Sequence, residues 1–182
     1  ISVIVARSDD GATEIYDPVQ NHHENYMLAK TVAPAPIKPD LAAEARRMAY
    51  EIAKELDLVG VLAVEMFVTK DSQVLVNEIA PRPHNSGHWT IDACTCSQFE
   101  QLVRAICGIP LGSTLRHSNA EMRNLVGDEV DQWSQLLDEH GAILHLDNTW
   151  ASPLYFKPFE HGADISIQAD TKYIVVHNED KH

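Results

Sequence analysis

Gly60-Val61-Leu62-Ala63-Val64-Glu65-Met66-Phe67-Val68-Thr69 and Val74-Leu75-Val76-Asn77-Glu78-Ile79-Ala80 are two apolar, β-branched runs separated by the polar Lys70-Asp71-Ser72-Gln73. Runs of this length around a short polar break read as a β-hairpin. With the turn centred between Asp71 and Ser72, Glu65 stands opposite Glu78, and both share a face with Phe67 and Val76. Opposed residues lie about 5 Å apart at Cβ, so the two carboxylates repel. A shared proton, a cation or a bound metal offsets that repulsion. Two hard oxygen ligands at this separation suit Mg²⁺ held between protein and nucleotide phosphates. The alternative is a plain solvated ribbon.

The segment just downstream favours the site. Arg82, His84, Asn85, Ser86 and His88 fall within seven residues of one another, Pro81 and Pro83 stiffen the loop, and Gly87 permits close backbone approach. Guanidinium, imidazole, amide and hydroxyl groups together suit a phosphate or carboxylate. The hairpin and loop together therefore read as an anion-plus-metal site.

Working outward, residues 1–7 and 13–16 flank Asp9-Asp10-Gly11 and read as a second hairpin. Residues 17–38 read as irregular. A helix follows, with Asp40 as its cap and an apolar stripe through Leu41, Ala45, Met48, Ala49, Ile52, Ala53 and Leu56, ended before Gly60. Ser97-Gln98-Phe99-Glu100 is a capping box, and the helix after it carries Phe99, Leu102, Val103 and Ile106 on one face, with Gly108 and Pro110 as its stop. Short strands are expected at 122–127 and 143–146, around a helical turn at 133–137. The class is α+β.

Composition narrows the function. Fourteen basic against 27 acidic residues leave a net charge of −13, which disfavours nucleic acid and anionic membrane surfaces. Three cysteines, two of them one residue apart, suit free thiols in a reducing compartment. The expectation is a soluble, cytoplasmic chain that is part of something longer, since it opens on Ile1 inside a strand-like run. Ten histidines raise a transition-metal alternative, but Pro81 and Pro83 spoil helical spacing for His84, His88 and Asp92, and Cys94 and Cys96 read as small buried residues.

The two runs of the hairpin, together with Pro81-Arg82-Pro83-His84-Asn85-Ser86-Gly87-His88-Trp89-Thr90, closely resemble the N5-carboxyaminoimidazole ribonucleotide synthase family of the ATP-grasp superfamily. Ser2-Val3-Ile4-Val5-Ala6-Arg7, Ser97-Gln98-Phe99-Glu100-Gln101, Leu111-Gly112-Ser113, Asn124-Leu125-Val126-Gly127 and Leu144-His145-Leu146 are similar to it as well. The resemblance implies the carboxy-terminal half of an ATP-grasp fold, antiparallel hairpins with flanking helices, and the start of a small β-rich domain. It implies purine biosynthesis: ATP and bicarbonate carboxylate 5-aminoimidazole ribonucleotide through carboxyphosphate, in an enzyme that is a homodimer at full length. By position it makes Glu65 and Glu78 the Mg²⁺ ligands, and gives Glu78, Asn77 and His23 to the nucleotide. Arg82 and His84 become the catalytic groups on bicarbonate or carboxyphosphate, and Asn85 with Ser86 seats the substrate phosphate.

The chain departs from that family in two places. The family's amino-terminal domain and phosphate-covering Gly-rich loop precede the segment matching Ile1. After Leu146, Asp147-Asn148-Thr149-Trp150 replaces a basic run, and the likeness to the family stops. The expected division is 1–112 for the grasp half, 113–146 for the small domain and 147–182 for a divergent tail. Inactivity of this segment alone is expected, with another ATP-grasp ligase, or a non-catalytic ATP-grasp remnant or dimerisation module, as the alternatives.

Overall fold

The structure, a computed structural model, describes residues 1–124 and the backbones of His145–Asp147 and Ile165–Ile167. Strands β1 (Ser2–Arg7), β2 (Thr13–Ile15), β5 (Gly60–Val68) and β6 (Val74–Ala80) form an antiparallel sheet in the order β2-β1-β5-β6. The two central strands are apolar on both faces through residues 3–6 and 61–64, because both faces of the sheet are covered there. Val3, Val5, Leu62, Val64 and Met66 point to one side, where Ala45, Ala49 and Ala53 of helix α1 (Pro39–Glu55) meet them. Alternate residues Ile4 and Ala63 point to the other side, into a core with Tyr16, Val19, Trp89, Ala93 and Cys94. Each fully buried aliphatic side chain here contributes about 1.5–3 kcal/mol.

Helix α1 begins two residues earlier than the sequence implies. Pro39 opens it, its fixed φ suiting the first helical position, and Lys38, not Asp40, caps it without a side-chain bond. Residues 17–38 are not irregular. Strands β3 (Gln20–Glu24) and β4 (Met27–Ala33) pair there, and β7 (Ala120–Arg123) completes a sheet in the order β3-β4-β7. The β3–β4 turn is Asn25-Tyr26, both in the left-handed region at φ 48° and 64°. That is the two-residue hairpin geometry, but Tyr stands where Gly would advertise it.

The largest correction concerns helix α3 (Gln98–Ile106), reached through the one-turn helix α2 (Thr90–Ala93). Its expected apolar face is turned largely outward: Phe99, Val103 and Ile106 are 38%, 53% and 60% exposed and only Leu102 stays half-buried, beside Gly60, while Gln98, Gln101 and Ala105 are buried. The glutamines go inside because each makes two backbone bonds. Gln98 accepts from His84 N (2.9 Å) and donates to His84 O (2.7 Å). Gln101 accepts from Gly112 N (3.0 Å) and donates to Gly112 O. Ser97 does cap α3, accepting from Glu100 N at 3.2 Å, but the Glu100 carboxylate turns to Arg104 instead of closing the box. Gly108 stops the helix in the left-handed region, as expected, with Ile109 N bonded to Arg104 O.

The chain divides into two units, Ile1–Asn124 and Leu125–His182. In the second, β8 (His145–Asp147) and β9 (Ile165–Ile167) pair in parallel. The expected helical turn at 133–137 lies outside the described residues. Cys94 and Cys96 are buried and unpaired, as expected, and burial pushes the Cys94 thiol up to about 12. Among the described residues no helix is long and apolar enough to cross a membrane.

Candidate functional site

Glu65 of β5 pairs directly with Glu78 of β6. Beyond that pair the register slips, and Met66 pairs with Val76, leaving Asn77 as an extra residue on β6. This bulge corrects the expected pairing of Phe67 with Val76; Phe67 meets Leu75 instead. A bulge re-aims side chains locally, and here it sits directly against the acidic pair. Glu65 is recessed, its side chain 19% exposed, whereas Asn77 and Glu78 are open to solvent.

The loop after β6 folds back onto Glu65. His84 Nε2 lies 3.4 Å from Glu65 Oε1, and the His84 backbone is held by both bonds of Gln98. The close approach depends on Gly87: a Cβ there would lie 2.1 Å from Ile4 Cδ1 and 2.5 Å from the Gln98 amide oxygen. Burial lowers the His84 pKa, favouring the neutral ring; the nearby Glu65 and Glu78 charges oppose that shift, and Arg82 and His23 add to it. His84 is thus close enough to feel the charge of Glu65, Glu78, Arg82 and His23. Arg82 is exposed and donates to Pro83 O at 3.1 Å. His23 is exposed on β3, at a register irregularity next to His22.

Two loop residues differ in character. Asn85 keeps a buried Oδ1 with no hydrogen-bond partner, an acceptor open to a donor. Ser86 is wholly buried, and its hydroxyl lies 2.8 Å from His84 Nδ1 and 2.7 Å from Ser2 Oγ. The Ser86 hydroxyl therefore faces His84 and Ser2 and not open space. Sequence reasoning missed Gln98, Ser2, Asn21 and Thr31, all of which reach His84 directly or through Ser86. Nothing local marks them, since their roles arise from contacts across the fold.

The residues fit a divalent cation shared with a second ligand. Glu65 and Glu78 supply two hard oxygens, and among the described residues no cluster of three or more acidic, histidine or cysteine ligands exists. Mg²⁺ is characteristically held by one or two carboxylates plus phosphates and water, not by an all-protein cage.

A family model described as the ATP-grasp domain matches residues 1–99, and the chain belongs to the ATP-grasp family. Within it the chain is similar to N5-carboxyaminoimidazole ribonucleotide synthases, as the loop string implies. It is 49% identical over 146 residues to the synthase of Brucella melitensis, covering 80% of this chain and 40% of that protein. It is 50% identical over 144 residues to that of Bacillus subtilis, covering 79% and 37%. The crystal structure of the Aspergillus clavatus synthase with ADP and 5-aminoimidazole ribonucleotide superposes with a TM-score of 0.71 at 30% identity, covering 79% and 39%. The chain spans about 40% of the length of these two curated relatives. A second model, of Cys/Met metabolism PLP-dependent enzymes, matches residues 118–180, so the tail that departs from the synthases is similar to a different family.

Proposed function

We propose that this chain carries the metal- and bicarbonate-handling part of an enzyme that carboxylates 5-aminoimidazole ribonucleotide to N5-carboxyaminoimidazole ribonucleotide, using ATP and bicarbonate. The observation that carries the reading is the Glu65–Glu78 pair with His84 against Glu65. Likeness to synthases over about four-fifths of the chain supports the choice of substrate. Bound Mg²⁺ would neutralise charge between the acidic pair and the nucleotide phosphates.

The chain's own residues then divide the work. Glu65 and Glu78 hold the cation, with Asn77 on the bulge and His23 on β3 facing the nucleotide. Arg82 holds bicarbonate and the carboxyphosphate made from it, since a fixed guanidinium stabilises charge that develops on a transferring phosphoryl group. His84 supplies a hydrogen bond to the same anion or to Glu65, and Asn85 Oδ1 accepts from the substrate. Residues 1–112 form the grasp half in this reading, 113–146 open a small domain, and the whole enzyme is a cytoplasmic homodimer.

The test is a transplant. Residues 1–112 replace the corresponding segment of the Bacillus subtilis synthase, and ATP-dependent carboxylation of 5-aminoimidazole ribonucleotide is assayed. Retained turnover that is lost on Arg82→Ala supports the reading. A folded chimera that hydrolyses ATP but does not carboxylate this acceptor points to another ATP-grasp ligase.

A further inference from the structure

Behind the acidic pair runs a buried chain of polar side chains that the reaction, as proposed, does not use. Thr31 Oγ1 donates to Asn21 Oδ1 at 3.1 Å, and Asn21 Nδ2 donates to Ser2 Oγ at 3.0 Å. Ser2 Oγ lies 2.7 Å from Ser86 Oγ, which lies 2.8 Å from His84 Nδ1. Ser2, Thr31 and Ser86 are fully buried, and His84 is 9% exposed. The chain joins three separate strands, β4, β3 and β1, to the loop that carries the histidine.

A hydroxyl can donate or accept, so such a chain has no direction until something at an end sets one. At the histidine end, each ring nitrogen faces a group with one role. The Ser86 backbone N–H, which can only donate, points at His84 Nδ1 at 3.3 Å. The Glu65 carboxylate, an acceptor, faces His84 Nε2 at 3.4 Å. Both contacts favour the lone pair on Nδ1 and the proton on Nε2, and the chain decides whether the Ser86 hydroxyl agrees with them. Each link then follows: Ser86 O–H donates to Nδ1, Ser2 O–H to Ser86, the Asn21 amide to Ser2, and Thr31 O–H to Asn21. No group is left with two donors facing each other.

We infer that this one-way chain locks His84 as the neutral, Nε2-protonated tautomer, making Ser2, Asn21 and Thr31 positioning residues for it. The ring then offers a hydrogen to the acidic pair and its ligands. It offers no lone pair there, so His84 is neither a base toward the site nor a metal ligand through Nε2. The tautomer itself needs only the geometry; its bearing on carboxylation rests on the proposed function.

The experiment is ¹⁵N NMR of the imidazole nitrogens in the full 182-residue chain at neutral pH, with His84 assigned by His84→Gln. The expected result is a pyridine-type shift at Nδ1 and a pyrrole-type shift at Nε2. The reverse pattern, two pyrrole-type nitrogens or averaged shifts would overturn the tautomer. Asn21→Asp cannot donate to Ser2, so the chain reverses, and His84 should move toward the Nδ1-protonated form. Ser2→Ala should give averaged shifts, and Ser2→Thr should restore the wild-type pattern. Thr31→Val, nearly isosteric, gives the same readout should Ser2→Ala not fold. An unchanged tautomer in both Asn21→Asp and the broken-chain variant would overturn the positioning roles. Failure of the transplanted enzyme beside a locked tautomer would remove the proposed function alone.

Discussion

The two hairpins that meet at His84 are built on opposite principles. In β5–β6, continuous apolar strands and a polar turn set the pairing, and the functional carboxylates interrupt the apolar pattern. In β3–β4, the first strand is Gln20-Asn21-His22-His23-Glu24, without an apolar period, and the turn residues are in the left-handed region. The first hairpin is specified by its own apolar pattern, the second by what it pairs with. Each sends one residue to the histidine: Glu65 directly, and Asn21 through Ser2 and Ser86.

That contrast can be broken in order of effect. In the transplanted enzyme, Glu78→Gln should lower turnover by more than about 100-fold, beyond the cost typical of losing an outer partner of a metal ligand. Because Glu78 is exposed, urea unfolding of the same variant should show little change; a large loss of stability would make Glu78 a structural residue of the hairpin. Gln98→Leu removes the link that lets both hairpins share His84. It leaves a buried N–H and C=O unpaired and should cost about 3 kcal/mol in urea unfolding. A cost within the error of the wild-type value would mean the loop is held elsewhere.

On the other hairpin, Tyr26→Gly should stabilise the chain by about 1 kcal/mol, because a left-handed conformation is unfavourable for L-residues other than glycine. Tyr26 is fully exposed, so no packing is lost in exchange. A destabilised Tyr26→Gly would show that the tyrosine makes a stabilising contact. Phe99→Ala should cost only about 1 kcal/mol, since the residue is only partly covered and lies beside His88. A loss of 3 kcal/mol or more, the cost for a core aromatic, would return that face of α3 to the interior.

The α+β class, the first hairpin and the opposition of Glu65 to Glu78 were legible because alternation, turn residues and apolar runs are local signals. The clustering of Arg82 with His84 was legible for the same reason. The bulge at Asn77 was not, since nothing in Val76-Asn77-Glu78 distinguishes a bulged strand from a regular one. The orientation of α3 was hidden by a real competition. Its apolar residues follow helical spacing, but two buried glutamines each satisfy a backbone N–H and C=O that would otherwise be orphaned in the core, and that term set the rotation. β3 was missed because its partners, Val32, Thr31 and Lys30, and not its own pattern, make it a strand.

The Gln98 clamp has a dynamic corollary. A side-chain amide that both donates to and accepts from one residue's backbone does the work of a single rung of a β-ladder, here between a helix and a loop. The His84 amide cannot exchange with solvent unless that rung opens, and the rung belongs to α3. The loop and the helix should therefore behave as one opening unit, with His84 as slow in hydrogen exchange as the helix it hangs from.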